Sequence, residues 1–97
     1  MFDYTGWIVR SQAGRDKGTL LYVVAVDREG EALLLADGKR RRAARPKRKK
    51  LGHVEAVDRG EFNHPVTQSL KGGEAVSDRA LRRALSAFKE EMRLGKR

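Results

Sequence analysis

A 97-residue chain without cysteine supports one modest hydrophobic core and excludes disulfides, thiolate metal sites and a cysteine nucleophile. Its 39% hydrophobic and 36% charged residues suit a folded domain with polar extensions rather than wholesale disorder. The formal charge of +9 implies an anionic partner, provided that the excess is concentrated rather than spread.

In chain order, residues 1–4 lack a basic region followed by an apolar run, and no stretch is apolar for long enough to span a bilayer. A soluble, cytoplasmic protein is expected. Residues 6–12 read as a first strand, with Trp7 and Val9 on one face and Ile8 and Arg10 on the other. A polar loop with Gly14 and Gly18 at its ends leads to a second strand, residues 20–26. The turn 27–30 then leads to a third, residues 32–36. Asp37-Gly38 suits the positive φ angles of a two-residue hairpin turn. Beyond it, residues 39–50 should form a short strand at the rim that becomes an extended arm near Pro46, because alternation would put cations on both faces and proline lacks a ladder donor. Residues 52–57 are expected to return and close the sheet.

Residues 58–74 are polar and contain Gly60, Gly72, Gly73 and Pro65, which predicts a connector along the surface. A helix follows, with Ser77 as N-cap, Asp78 in the first turn, Val76 stapled onto Leu81, and a stop at Gly95. Leu81, Leu85, Phe88 and Met92 line one of its faces, with Ala84 beside them. The second strand is apolar on both faces, so its outward face needs a cover, and this stripe supplies one. A partner protein is the other conceivable occupant of the stripe. The expected organisation is a small, mainly β, SH3-like barrel over residues 1–57, a connector over 58–76 and a packed amphipathic helix over 77–95.

The charge is concentrated. Between positions 39 and 50 there are nine cations, Lys39, Arg40, Arg41, Arg42, Arg45, Lys47, Arg48, Lys49 and Lys50, and no carboxylate. The other 13 Lys and Arg balance the 13 Asp and Glu, so the formal excess resides in these twelve positions. A solvated face interleaves carboxylates with its cations, whereas this block repels itself until a polyanion neutralises it.

The stretch 9–18 resembles the opening of a KOW motif, in which a strand runs into a Gly-x-x-Lys-Gly turn and then an apolar strand. Taken with Leu35-Ala36-Asp37-Gly38-Lys39 and with the run from Arg45 to His53, it is similar to the small bacterial KOW-domain RNA-binding proteins. Those are in turn similar to the eukaryotic and archaeal large-subunit ribosomal protein fourteen-e. The resemblance covers roughly residues 6–55. It implies an SH3-like barrel and contact with ribosomal or other structured RNA, through the loop at Arg15 and Lys17 and through the basic segment.

In the loop, glycines would let backbone N–H groups approach phosphates while Arg15 and Lys17 add charge, although an ordinary hairpin turn has the same residues. In the basic segment, each neutralised phosphate releases counterions, which gives affinity without sequence reading. His53 beside it joins the expected RNA contacts, and His64 before Pro65 reads as a turn residue. The aromatics are scattered along the sequence: Tyr22 and Phe88 read as core, and Trp7 as a cover for an open barrel end in preference to a base-stacking residue. Recognition of RNA shape and backbone is therefore expected rather than reading of single-stranded bases. No spacing suggests a nucleophile with its base, a metal-ligand set or a phosphate-binding P-loop, so neither catalysis nor a cofactor or metal is expected. The alternatives are a protein adaptor of the transcription or translation machinery and electrostatic attachment to an anionic membrane. The near absence of apolar residues in the segment disfavours the membrane.

Overall fold

The computed structural model describes residues 1–95. These form five strands, β1 (Ile8–Ser11), β2 (Leu20–Asp27), β3 (Ala32–Ala36), β4 (Lys47–Lys50) and β5 (Val54–Asp58), followed by the helices α1 (Pro65–Lys71) and α2 (Asp78–Arg93). The strands make one antiparallel sheet in the order β4-β3-β2-β1-β5. The edge strands β4 and β5 are consecutive in the chain, separated only by a 3-10 turn at Leu51–His53. Because they occupy opposite edges, the sheet must curl until its edges approach at that turn, yet β4 and β5 are not paired and the ladder stays open.

The curl creates two apolar layers. Inside it lie Val9, Leu21, Val23, Leu33 and Leu35, with Tyr4, Trp7, Val26 and Val54 packed around them. Outside it, Ile8, Leu20, Tyr22 and Ala36 meet Phe62, Val66 and Leu70 from the α1 region and Leu81, Ala84, Leu85 and Phe88 from α2. The doubly apolar β2 is thus buried on both sides, and the stripe of α2 is its cover. Tyr22 is fully buried, and its hydroxyl shares a 2.8 Å hydrogen bond with Thr67 Oγ1 on α1. A register shift between Val23 and Ala25 moves Val26 to the inner layer, away from the face of Leu20 and Tyr22 that strict alternation gives it.

Ser77 caps α2, its hydroxyl accepting from Ala80 N, and Gly95 at φ 73° ends it. Met92, at the end of the predicted stripe, is exposed instead of buried. The connector is corrected more substantially, since it contains α1. His64 Nδ1 accepts from Val66 N at 3.1 Å, Pro65 opens the first turn, and Val66 and Leu70 face the core. Polarity and glycine content concealed a seven-residue helix whose burial depends on one short side.

The turn after β3 also differs from expectation. Asp37 does not take positive φ. Its carboxylate accepts from the N–H groups of Lys39 and Arg41, both at 2.9 Å, which offers the chain an alternative to a tight hairpin. The chain therefore detours toward α2, where Arg82 Nη1 donates to the Gly38 carbonyl at 2.6 Å and Ala43 N donates to Asp78 Oδ1 at 2.7 Å. Gly38 has φ +77°, and a Cβ there would sit 2.1 Å from the Asp78 carbonyl oxygen, so glycine is required twice over. The expected arm is likewise corrected: residues 47–50 are the edge strand β4, paired with β3, and Pro46 stands just before it.

Candidate nucleic-acid interface

Register sorts the cations of β4. Lys47 and Lys49 lie opposite Leu35 and Leu33 and so face the inside of the curl, whereas Arg48 and Lys50 lie opposite Leu34 and Ala32. Lys49 is 8% exposed, and its ammonium donates to the Ala13 carbonyl in the loop between β1 and β2. Its long stem crosses the interior, and its charge ends on a backbone acceptor.

Three other cations of the segment are paired with carboxylates from distant parts of the chain. Arg41 Nε donates to Asp16 Oδ2 at 2.9 Å, and Asp16 is only 2% exposed. Arg42 lies 3.8 Å from Asp78, and Arg48 lies 3.1 Å from Asp27. The N–H of Gly30 and then the Arg48 guanidinium hold the Asp27 carboxyl below the usual carboxylate range, so Arg48 keeps an ionised partner. Any phosphate binding to Arg48 competes with this pair.

Lys39, Arg40, Arg45, Lys47 and Lys50 have no ion pair among the described residues, and all but the half-buried Lys47 are exposed. Arg15, Lys17 and His53 are exposed as well. The bonds made by Arg41 and Lys49 also bring the loop and the segment together. The loop 12–18 is held to the basic segment by Asp16 with Arg41 and by Ala13 with Lys49, and to the following turn by Gln12 N donating to the His53 carbonyl at 2.8 Å. The two expected contact regions are therefore neighbours.

The loop has part of its backbone bonded internally. It closes as a 3-10 turn over Gly14–Asp16 in which the N–H groups of Lys17, Gly18 and Thr19 donate to Gly14, Ser11 and Asp16. Those three donors are already used within the loop, and the Arg15 and Lys17 side chains are exposed on it.

No family model matches this chain, and no curated protein matches it.

Two features escaped sequence reading. The outer side of α2 adds cations: Arg10, Lys89 and Arg93 line a cleft of about 620 Å³, and Lys39, Arg82 and Lys89 line a neighbouring one of about 170 Å³. Their interleaving with Glu90 and Glu91 masked them in the sequence. The aromatics, scattered along the sequence, cluster in space. Tyr4 meets Trp7 edge-on at 4.8 Å and Phe2 at 5.0 Å, and Arg59 lies 5.8 Å from the Trp7 ring centre. Phe62 similarly stands between His64 and Phe88. Among the described residues no group of His, Asp and Glu is arranged to hold a metal, and no helix is long and apolar enough to cross a membrane.

Proposed function

We propose that the protein is a non-enzymatic, cytoplasmic RNA-binding module of the SH3-like, KOW type that grips the phosphate backbone of ribosomal or other structured RNA. The observation that carries this reading is the joining of the loop 12–18 to the basic segment through Asp16 with Arg41 and Ala13 with Lys49, and we read the loop's Arg15 and Lys17 with Lys39, Arg40, Arg45, Lys50 and His53 as one cationic face. The curled sheet, with its order β4-β3-β2-β1-β5, supports the barrel assignment. Unpaired surface cations of this density lower the cost of approach for a polyanion and release its counterions on contact. Cations carried on a folded segment suit backbone contacts with folded RNA.

The adaptor alternative uses either the barrel or the apolar stripe of α2, and Leu81, Leu85 and Phe88 of that stripe are at most 3% exposed. That burial disfavours the helix as its contact surface and leaves the barrel. Crosslinking in cells followed by sequencing of the attached RNA tests the reading. Enrichment of structured RNA, ribosomal RNA above all, is the expected result, and recovery of no RNA above background contradicts it.

A further inference from the structure

We infer that an unpaired nucleobase is received in the notch formed by Phe2, Tyr4, Lys50, Leu51 and Gly52, beside the cationic face. This deepens the RNA-binding reading and rests on it. The notch has a volume of about 390 Å³, within the range of small-molecule sites, and Met1 and Glu31 complete its lining. It gathers three of the large apolar side chains that the described residues leave exposed: Phe2 at 62%, Leu51 at 43% and Met1 at 39%. Apolar side chains gathered in one exposed patch mark an interaction site more than scattered ones do, and here the segment that carries the ring is tied to the sheet. Arg28 Nη1 donates to the Met1 carbonyl at 2.8 Å, Gly6 N donates to Val23 O at 2.9 Å, and Tyr4 backs Phe2 edge-on while itself packing on the inner core. Phe2 thus rests on Tyr4 and Trp7 with most of its surface open to a ligand.

The chemistry favours a base over other occupants. Lys50 supplies a cation at the end of β4, where a phosphate flanking an extruded base would arrive from the basic segment. Glu31 puts a carboxylate on the same rim, which repels a phosphate from the notch itself but accepts a hydrogen bond from a base amino or imino group. An aromatic face accepts any base by stacking. The cationic face would then fix the RNA, while the notch selects RNA that offers a base outside a helix.

The test uses three hairpin RNAs that differ at one position: fully paired, with a single-nucleotide adenine bulge, and with an abasic site in that bulge. The protein should bind the adenine bulge about tenfold more tightly than the abasic one. Binding should also quench the fluorescence of Trp7, the sole tryptophan, which contacts Tyr4 and Phe2. Phe2→Ala should abolish the tenfold difference while leaving the salt dependence unchanged, and Phe2→Trp should restore it. Equal, salt-dependent binding of the adenine and abasic bulges by the parent overturns the notch and leaves the cationic face standing. A discrimination that survives Phe2→Ala in a folded variant also overturns it. Failure to bind any of the three hairpins overturns both.

Discussion

In α2 the cations Arg82, Arg83, Lys89 and Arg93 are exposed beside a buried stripe of Leu81, Leu85 and Phe88, whereas residues 39–50 carry nine cations and no such stripe. The charges of α2 lie on solvated sides of an element that folds because of its other side. In the basic segment four cations have partners within the chain: Arg41 and Lys49 tie the segment to the buried Asp16 and to Ala13, while the exposed Arg42 and Arg48 sit beside Asp78 and Asp27. Charge density alone does not identify a binding surface. What matters is which cations the fold has already neutralised.

Substitutions sharpen that contrast, and the largest expected effect lies in the stripe. Phe88 is 1% exposed between Phe62 and the sheet-facing core, so Phe88→Ala should cost about 3–5 kcal/mol, a large part of a small domain's stability, in chemical denaturation. Gly38→Ala should follow at about 2–4 kcal/mol, since it combines an unfavourable positive φ with a clash against the α2 backbone. Arg41→Ala should cost about 2–3 kcal/mol, because it leaves the Asp16 carboxylate buried without its guanidinium. Restored stability in the double variant Arg41→Ala/Asp16→Asn would confirm that the stranded charge is the cause. By contrast, Arg40→Ala or Arg45→Ala should shift stability by no more than about 0.5 kcal/mol in thermal melts. If Arg40→Ala and Arg41→Ala prove equally mild, the distinction between structural and available cations fails.

The strands β1, β2 and β3 and the helix α2 were legible because their signals are local: a short continuous apolar run in β2, an i, i+4 apolar stripe, and a serine before the helix. The need to cover β2 even foretold where α2 packs. The basic segment was legible as a charge block and illegible as a structure. Its partners lie 21 to 36 residues away, and nothing in the run from Lys39 to Lys50 distinguishes Arg40 from Arg41. The hairpin at Asp37-Gly38 failed for a related reason, since the side chain of Asp37 and the distant Asp78 together decide the path of the loop. Residues 64–72 did carry a readable helix signal, with a capping His64, Pro65 at the first turn, Val66 and Leu70 four apart, and Gly72 at the end. The glycines around it outweighed that signal. The aromatic cluster required the fold, because Phe2 and Tyr4 precede the first strand and no periodicity aligns them with Trp7.

The most direct test of the division of labour within the basic segment is the salt dependence of RNA binding by a variant with Lys39, Arg40, Arg45 and Lys50 changed to Ala. These four cations are exposed and carry no ion pair among the described residues. If each meets one phosphate, the log–log salt slope should fall by about 3 to 4 units relative to the parent, with the thermal melt nearly unchanged. A folded variant that binds structured RNA with the parent's slope would contradict the account.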